Sequence, residues 1–572
     1  MVSVDEIRRL ARLYALQNAV RHGKPPMAGA VMGKLMGERP ELRERAREVK
    51  PVVEEVVAEV ASLTPERWRS ELEELAPELI EELSVKKEPK RGLKELPNAT
   101  RGEVVMRFAP NPNGPPTLGS ARGIVVNSEY ARMYEGKFIL RFDDTDPVQK
   151  RPLLDAYRWY VEDCRWLGAQ PDEVYCASDR LELYYEVAER LIEGGHAYMC
   201  FCSREEFKRR KDACQPCPHR DTPPEESMRA WQDALDGELP AGSAVLRIKT
   251  DITHSDPALR DFGAFRIVDA EHPRVGDKYR VWPLLDFESA VEDHLLGITH
   301  IIRGKDLMDA ERRQRYIYRY LGWEYPVVLH WGRVKIHEFG RLSTSSIARS
   351  ISEGTYEGWD DVRLPTIRAL RRRGIQAEAI RRLFLDLGVG ENDISISLEN
   401  LYAENRKLID SEAARLFFVR RPVLVSVHGA VDAVARPPLY PDGRERRRIP
   451  VPASGGVARV YLEQDELASF AEGELVRLKD LYTVRVEGGG PGGRLGGRLH
   501  FVSHEMHGKP KIVHWVPEDG IPCVLRTPEG DLEGIAERGV REHVGEVVQF
   551  ERVGFARIDA ANGKVIAYFA HR

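Results

Sequence analysis

The chain has 572 residues, of which 42% are hydrophobic and 31% charged, so a globular protein with several domains is expected. No run of about eighteen apolar residues is present and the amphipathic N-terminus lacks a secretory h-region, so we expect no membrane binding. The net charge of -5 does not by itself indicate nucleic-acid binding, although local basic stretches can still provide it.

The first 83 residues predict a small helical domain. Ser3 and Glu6 have the spacing of a capping box ahead of apolar residues at helical spacing, and Thr64-Pro65 marks a second helix start. Residues 84–102 are charged and interrupted by Pro and Gly, which predicts a linker.

Residues 104–144 predict a βαβ unit. The runs VVMRFAP and KFILRFDD have the composition of strands, and ARGIVVNSEYARMYEG between them has that of a helix. The loop after the first strand lies where parallel sheets bind ligands, and the N–H groups of a helix start attract phosphate. A loop rich in Pro and Gly is equally typical of a structural turn, so both interpretations stay open on these residues alone.

The chain becomes β-rich after residue 425, and we predict two small β-barrel-like modules there. Asn562-Gly563 is a hairpin signal. The stretch VEGGGPGGRLGGRLHF lacks the GK[ST] of a phosphate-binding loop and follows no parallel strand, so it predicts a mobile hairpin loop.

Several longer blocks carry a resemblance that covers most of residues 100–425. They are RFAPNPNGPPTLGSARG, KFILRFDDTDP, WLGAQPDEVYCASDRLELYYEVAERLIEGGHAYMC, DFESAVEDHLLGITHIIRGKD, EGTYEGWDDVRLPTIRALRRRG and NRKLIDSEAARLFFV. This part of the chain resembles class I aminoacyl-tRNA synthetases of the glutamyl/glutaminyl branch. The helical N-terminus and β-rich C-terminal half resemble the archaeal glutamyl members, since bacterial ones have a helical anticodon-binding part.

The resemblance implies a multidomain fold. A Rossmann-like α/β parallel-sheet catalytic domain would occupy residues 103–198 and 281–345, interrupted by an α+β acceptor-stem-binding insertion at 199–280. A helical connective domain at 346–424 and C-terminal antiparallel anticodon-binding β-barrels at 425–572 would follow in the chain. The N-terminal helical domain at 1–83 and the linker at 84–102 would precede the catalytic domain.

The resemblance also implies the activity. It is the ATP-dependent ligation of L-glutamate to the 3′ end of tRNA through a glutamyl-adenylate, with Mg²⁺ accompanying ATP and with release of AMP and pyrophosphate. Some archaeal members also charge tRNA for glutamine, and the sequence leaves that open here. We expect a monomer.

The resemblance places the HIGH signature of the class at Thr117-Leu118-Gly119-Ser120, where hydroxyl residues replace both histidines. Thr117, Gly119 and Ser120 are the implied catalytic residues of this loop. Glycine lets backbone approach a ligand closely. The implied ATP contacts are Pro110, Asn111, Pro112, Gly114, Thr117, Leu118, Gly119 and Ser120.

A glutamate substrate brings a second carboxylate, whose burial requires a cation. Arg107 and Arg303 lie at the carboxyl ends of candidate strands and match arginines that bind glutamate in the family. Glutaminyl enzymes usually lack a charge at the position of Arg303, so an unpaired guanidinium there would penalise glutamine. The alternative for Arg303 is a salt bridge with Asp293 or Asp306.

Asp143 matches the position that would take the substrate ammonium, although a turn-capping role would suit it as well as Asp144 or Asp146. Leu285 stands where the family often has Tyr, which predicts a differently shaped side-chain pocket.

The stretch GRLSTSSIARSISEG resembles the mobile lysine loop of the class, which implies catalytic roles for Ser343, Ser345 and Ser346. Related archaeal sequences have lysine where this chain has Ser346, and no lysine occurs from 338 to 352. Either an arginine replaces it, or the chain is a tRNA-binding or regulatory relative with weakened ATP activation. The nearest cations are Lys335, Arg341 and Arg349.

The stretch CFCSREEFKRRKDACQPCPHR offers five ligands for a structural zinc ion, and free thiols are the alternative. Four of the seven cysteines lie here, which favours a reduced, cytoplasmic setting over disulfides. The family pattern favours Cys200, Cys202, Cys217 and His219, with Cys214 as the alternative ligand.

Charge runs usually form solvated surfaces, but within the resemblance two basic stretches would contact tRNA phosphates. One is RPPLYPDGRERRRIP. The other contains Arg363, Arg368, Arg371, Arg372 and Arg373.

Overall fold

The computed structural model describes residues 3–77, 79, 92–339, 343–487 and 498–572. The chain forms two compact units, Met1–Arg91 and Gly92–Arg572. Within the described residues, no helix is long and apolar enough to cross a membrane.

The first unit is helical, and both predicted helix starts are observed. Ser3 accepts a hydrogen bond from the N–H of Glu6 at 3.2 Å, and Thr64 accepts one from the N–H of Arg67 at 3.4 Å. Residues 84–91 of the predicted linker lie outside the described residues. The helices are Val4–His22, Ala28–Glu38, Ala46–Ala61 and Pro65–Leu75, with a 3₁₀ turn at Pro40–Arg45.

The second unit begins with a three-stranded parallel sheet, which confirms the predicted βαβ unit. Val105–Phe108 pairs with Lys137–Phe142, which pairs with Glu173–Cys176. Helices Leu118–Met133 and Leu154–Trp166 form the crossovers. The apolar faces of these strands and helices form one buried core.

A second parallel pair, His300–Gly304 with Val327–Trp331, continues the catalytic domain. It lies beside the first sheet, because Val105 and Thr299 exchange hydrogen bonds of 2.9 and 3.1 Å. The parallel-sheet catalytic domain therefore forms from segments far apart in the chain. Its later helices are Leu285–Leu295 and Met308–Leu321, and its 3₁₀ turns are Ala177–Asp179 and Lys305–Leu307.

The insertion between these two halves is built on a four-stranded antiparallel sheet. Its outer strands extend beyond the predicted limits of 199 and 280, since Ala197 pairs with Ile248 and Ile267 pairs with Val281. Ala197 and Val281 are apolar and belong to the core of the insertion, so the predicted boundaries at 199 and 280 leave part of this core outside the insertion. The strands are Ala197–Cys200, Val245–Ile248, Phe262–Ile267 and Val281–Pro283, and the helices are Leu181–Glu193, Arg204–Asp212 and Pro224–Leu235, with a 3₁₀ turn at Pro257–Leu259.

Four helices follow the catalytic sheet. The predicted boundary at 345/346 falls inside the first of them, because Ser343 caps that helix. A short parallel strand pair, Val334–Ile336 with Ile394–Ile396, links this region to the preceding chain. The helices are Thr344–Ser352, Ile367–Arg373, Ala377–Leu387 and Leu398–Ile409, after a 3₁₀ turn at His337–Phe339.

The C-terminal part consists of two barrel-like, mainly antiparallel sheets that are interleaved in sequence. The chain starts in the seven-stranded sheet at Ala414, builds the eight-stranded sheet, and returns to the first at Ile521. The strands thus begin before the predicted boundary at 425, which falls inside strand Pro422–His428.

The strands of the seven-stranded sheet, in spatial order, are Ala414–Leu416, Val547–Phe550, Gly554–Ala560, Val565–His571, Ile521–Thr527, Gly530–Ala536 and Phe418–Arg420. Those of the eight-stranded sheet are Ala453–Ser454, Val457–Glu463, Pro422–His428, Arg498–Ser503, Thr483–Glu487, Leu475–Leu478 and Lys511–Val513, with Val516–Pro517 on Val457–Glu463. A separate pair joins Ala433–Ala435 to Ile449–Val451, and the remaining elements are helix Gln464–Ala468 and the 3₁₀ turn Arg538–His543.

The hairpin predicted at Asn562-Gly563 is observed. Strands Gly554–Ala560 and Val565–His571 are antiparallel around Asn562-Gly563, and Gly563 has a φ of 80°. The strands that flank the glycine-rich stretch pair through Glu487 and Arg498, while residues 488–497 lie outside the described residues.

Candidate active site

Three buried arginines meet between the two parallel sheets. Arg107 lies on strand Val105–Phe108, Arg141 on Lys137–Phe142 and Arg303 on His300–Gly304. Their exposed fractions are 8%, 0% and 6%. All three guanidinium groups reach the carboxylate of Asp293, that of Arg303 at 3.9 Å, so Arg107 and Arg303 converge on one point.

Asp293, on helix Leu285–Leu295, is the common anion of this arginine cluster. Its carboxylate accepts hydrogen bonds from Nε and Nη2 of Arg107 at 3.0 and 3.2 Å and from Nη1 of Arg141 at 2.7 Å. Burial alone would raise the pKa of Asp293, but the charges of Arg107 and Arg141 outweigh it and hold that pKa well below its usual range.

Arg303 is the least satisfied member of the cluster. Its Nη1 donates to Oε1 of Gln314 at 3.0 Å, and its Nη2 lies 3.9 Å from Oδ2 of Asp293. Nε and Nη2 are buried and have no hydrogen-bond partner among the described residues. The predicted alternative of a salt bridge is thus present only as a long contact to Asp293, and no ion pair to Asp306 is found in the described part of the chain.

Asp143 follows the second strand and faces Arg141. Arg141 Nε and Nη2 donate to its carboxylate at 2.7 and 3.3 Å, and Ser289 Oγ lies 3.3 Å from Oδ2. Its carboxylate therefore already has a cationic partner. Asp144 has a different role, because it accepts from the N–H and Oγ of Ser178 at 2.8 and 2.7 Å and from Tyr157 at 2.6 Å.

A buried carboxyl group completes the interior of the site. Glu288 is 2% exposed, and Thr145 Oγ1 contacts one of its carboxyl oxygens. Burial, reinforced by the nearby charge of Asp143, raises the pKa of Glu288 well above its usual range. Glu292, by contrast, forms an ion pair with Arg180, whose Nε lies 2.7 Å from Oε1 of Glu292.

The predicted nucleotide loop is held beside this cluster by its backbone. The N–H of Asp143 donates to Pro110 O at 3.0 Å, and Asn111 Nδ2 donates to Asp143 O at 3.0 Å. The N–H of Leu153 donates to Pro112 O at 2.8 Å. The strand end that carries Asp143 therefore fixes the start of the loop.

Thr117 begins the helix that follows the loop. Its side chain accepts from the N–H of Ser120 at 3.3 Å, and the N–H of Leu118 donates to Pro365 O at 2.8 Å. Gly119 is exposed, and its N–H has no acceptor within the ranges that the structure describes. Fewer free backbone N–H groups therefore remain at this helix start than at a helix N-terminus without such acceptors.

The predicted lysine-loop segment packs onto the same loop. A Cβ on Gly114 would collide with the methyl group of Thr344 and would lie 2.8 Å from the ring of Trp359, so only glycine allows this approach. Ser343 and Ser346 form a capping box, in which each side chain bonds the backbone N–H of the other at 3.1 Å.

Ser346 is thereby engaged in its own helix start. Ser345 and Arg349 are exposed, and Arg349 makes no ion pair with any described residue. Lys335 is exposed on strand Val334–Ile336. Arg341 lies outside the described residues.

Four of the five predicted metal ligands converge. Cys217 Sγ lies 3.4 Å from Cys200 Sγ, 3.5 Å from Cys202 Sγ and 3.3 Å from His219 Nδ1. All four ligand atoms lie within 4.8 Å of one another. Cys214 is exposed and does not belong to this group. Three sulfurs and one imidazole nitrogen at this spacing fit a tetrahedral zinc ion with Zn–S distances of about 2.3 Å.

The arginines of the basic stretch are mostly engaged within the protein, and their contact with tRNA phosphates stays a prediction. Arg373 is 2% exposed and donates to the carbonyls of Phe569 and Ala570 at 2.9 and 2.7 Å. Arg371 is exposed, lies over the ring of Trp166, and makes no ion pair with any described residue. The other three are ion-paired: Arg363 with Asp361, Arg368 with Glu162, and Arg372 with Asp360 and Asp559.

The sequence did not indicate the roles of Arg141 and Gln314. A charged residue inside the apolar run KFILRF was a usable signal for Arg141, because such a residue is buried only with partners. Gln314 lies in a helix rich in charged residues and carries no such signal. Leu285 is 45% exposed at the first position of its helix.

Comparison with known proteins gives a match over nearly the whole second unit. The family described as tRNA synthetases class I (E and Q), catalytic domain, matches residues 103–411, and two anti-codon binding domain families of that class match 413–495 and 512–559. A glutamate--tRNA ligase of Methanothrix thermoacetophila is 57% identical over 99% of this chain and 100% of that protein.

Two further matches have the same description. A glutamate--tRNA ligase of Methanosarcina acetivorans is 56% identical over 100% of both chains. A solved glutamate tRNA ligase structure from Elizabethkingia meningosepticum covers 54% of this chain and 71% of its own, at 21% identity and a TM-score of 0.37.

Proposed function

Since the chain belongs to the class I tRNA synthetases of the glutamate and glutamine branch, we propose that its arginine cluster binds the substrate glutamate. The enzyme catalyses the ATP-dependent ligation of glutamate to tRNA. Similarity over the whole chain does not favour the alternative of a regulatory relative with weakened ATP activation.

The observation that carries the proposed site is its charge balance. Within its ion pairs, the cluster holds three guanidinium groups, of Arg107, Arg141 and Arg303, against two carboxylates, of Asp143 and Asp293. These pairs therefore contain one more cation than anion. A buried guanidinium with free donors is costly until an anion is bound.

The γ-carboxylate of glutamate supplies the missing charge and accepts from the free donors of Arg303. The amide of glutamine supplies no charge, so the same recess disfavours it. Asp143 lies on the opposite side of Arg141 from Asp293, where its carboxylate attracts the substrate ammonium.

We assign ATP, with its Mg²⁺, to the loop of residues 110–120. Backbone donors and hydroxyl groups at this helix start stabilise phosphate charge without a covalent nucleophile, while the substrate α-carboxylate attacks the α-phosphate. Thr117 and Ser120 hold the first turn, and the free N–H of Gly119 is the donor that ATP would use.

The missing lysine of the second signature is replaced, in this proposal, by Arg349. The hydroxyl group of Ser346 is bonded within the capping box with Ser343, so Ser346 acts by ordering the start of this helix. Arg349 lies one turn further along the same face, and side chains on a helix lean toward its N-terminus. Its guanidinium therefore extends back over the position of Ser346.

Cys200, Cys202, Cys217 and His219 would hold a zinc ion that braces the insertion. With no open coordination position and no carboxylate in the group, the ion would be structural. The insertion is the part that we assign to the acceptor end of tRNA, and the two C-terminal sheets are assigned to the anticodon.

The test is pyrophosphate exchange in the presence of cognate tRNA. Glutamate is expected to support it far better than glutamine, and Arg303→Met is expected to lower kcat/KM for glutamate by about a hundredfold or more, the loss typical of a buried charge pair. The matched control is Arg312→Met, because Arg312 is 43% exposed and pairs at the surface with Asp256. Equal exchange with both amino acids, or unchanged turnover in Arg303→Met, would contradict the proposal.

A further inference from the structure

We infer that Gln314 is a positioning residue that makes the site selective for a carboxylate, because it fixes Arg303 without neutralising it. This inference rests on the proposed function of Arg303 as the glutamate-binding cation. It concerns a residue that never contacts the reacting atoms and acts through the guanidinium beside it.

Gln314 is held firmly in the interior of the site. It lies on helix Met308–Leu321 and is 1% exposed. Its Oε1 accepts from Arg303 Nη1 at 3.0 Å and from the hydroxyl group of Tyr325 at 2.7 Å. Because arginine can only donate, the atom facing it must be the amide oxygen, and the orientation of the Gln314 amide follows from the contact itself.

The bond to Nη1 leaves the opposite edge of Arg303 available. This edge consists of Nε and Nη2, the two buried atoms without a partner among the described residues. Arg107 uses the same edge, in the same cluster, to bind both oxygens of Asp293 at 3.0 and 3.2 Å. Arg303 therefore presents to the substrate the two-donor geometry that matches a carboxylate.

The neutrality of Gln314 is what preserves the charge of Arg303. A carboxylate at this position would pair with the guanidinium from within the protein, and the cluster would then have three positive and three negative charges. An apolar side chain would leave Nη1 without an acceptor and the guanidinium free to close the 3.9 Å distance between its Nη2 and Asp293. A neutral acceptor orients Arg303 and adds no negative charge beside it.

Tyr325 supports this arrangement from behind. Its ring packs edge-on against Tyr318 at 4.7 Å and lies under Arg315 at 4.4 Å, so its hydroxyl group reaches Gln314 from a fixed position. Burial raises the pKa of Tyr325 to about 12, and the hydroxyl group therefore remains a donor across the working pH range. The donor from Tyr325 also keeps the Gln314 amide from flipping.

The experiment compares Gln314→Glu and Gln314→Met with the parent enzyme in tRNA-dependent pyrophosphate exchange, using glutamate, glutamine and ATP as the varied substrates. In Gln314→Glu, kcat/KM for glutamate is expected to fall by about a hundredfold and the preference for glutamate over glutamine by at least about tenfold. The KM for ATP is expected to stay within about twofold, because the nucleotide loop does not contact Gln314. A purely structural role would instead lower the use of both amino acids and ATP together.

Gln314→Met is expected to raise the KM for glutamate about tenfold through lost orientation of Arg303, and Tyr325→Phe by a few fold. The matched control is Gln232→Glu, an exposed glutamine that is expected to change nothing. A glutamate preference in Gln314→Glu within about twofold of the parent would overturn the inference.

The Arg303→Met variant separates this inference from the proposed function. If that variant loses glutamate activity while Gln314→Glu keeps its preference, the role of Arg303 stands and that of Gln314 fails. If Arg303→Met stays active, both fail. If Gln314→Glu does not fold, the KM for glutamate of Tyr325→Phe tests the inference instead. A KM unchanged from that of the parent enzyme would also overturn the inference.

Discussion

A buried ionic cluster at Glu551 links the two C-terminal sheets, and its removal is expected to change their stability toward acid. Glu551 follows strand Val547–Phe550 of the seven-stranded sheet. Lys479 and His514, which both belong to the eight-stranded sheet region, contact its Oε2, the latter at 3.1 Å. Arg447 Nη2 lies 3.5 Å from Oε1. The carboxylate is thus the anion that Lys479 and Arg447 share, and it also forms a hydrogen bond with the ring of His514.

The size of the effect follows from the pKa of Glu551. Burial alone would raise it, but the hydrogen bonds from His514 and Lys479 outweigh burial and lower the pKa from 4.5 to about 2. A shift of this size corresponds to about 3 kcal/mol of folding free energy. Because the pKa is lowered, this stability is present above pH 4.5 and is lost as the pH falls toward 2.

The variant Glu551→Gln is therefore expected to lower the free energy of unfolding of the C-terminal sheets by about 3 kcal/mol at pH 7. It should also show a smaller further loss than the parent between pH 4.5 and 2. Burial raises the pKa of the neighbouring Glu537, and the charge of Glu551 raises it further, so the difference between the two proteins contains Glu551 together with its effect on Glu537.

Urea unfolding followed by tryptophan fluorescence measures this difference, since Trp515 is fully buried beside the cluster and donates to Lys479 O at 2.9 Å. The control is Glu518→Gln, because Glu518 is 52% exposed and pairs with Arg459 at the surface, where a loss below about 1 kcal/mol is expected. An unchanged free energy of unfolding in Glu551→Gln at pH 7, or an acid transition identical to that of the parent, would refute the reasoning.

Two further predictions concern the metal group and the second signature. Protein purified under reducing conditions is expected to contain one zinc ion per chain, which Cys217→Ser loses and Cys214→Ser keeps; equal zinc in both variants by atomic absorption would contradict the ligand set. Arg349→Ala is expected to slow pyrophosphate exchange by about ten- to a hundredfold, and Ser346→Lys in that background to restore part of the rate. Unchanged exchange in Arg349→Ala would rule out Arg349 and leave Arg341 as the candidate.

The features that could be predicted from the sequence are those encoded locally. Two runs with the composition of strands, separated by a helix-like segment, predicted the βαβ unit, and Asn562-Gly563 predicted a hairpin, because these patterns are local in the chain. Ser3 and Thr64 marked helix starts for the same reason. The roles of Arg107 and Arg303 could be predicted because the resemblance aligned both residues with positions of known role.

The partners of those arginines could not be predicted, because they depend on the tertiary fold. Asp293 is separated from Arg107 by 186 residues of sequence and from Arg141 by 152, and only the tertiary packing of helix Leu285–Leu295 brings it to the two strands. The interleaving of the C-terminal sheets is likewise a matter of long-range strand pairing. The capping role of Ser346 is local, but the resemblance, which has lysine at that position, implied a catalytic role for Ser346 and not a helix cap.

The short helix Ile367–Arg373 connects the nucleotide loop to the C-terminal sheets. At its start, Pro365 O accepts from Leu118 at 2.8 Å and the N–H of Ile367 donates to Pro116 O at 2.9 Å, so the loop and this segment are bonded in both directions. At its end, Arg373 donates to carbonyls of the last strand, and a Cβ on Gly374 would lie 2.7 Å from Val547. The loop proposed to bind ATP and the seven-stranded sheet therefore contact opposite ends of one two-turn helix.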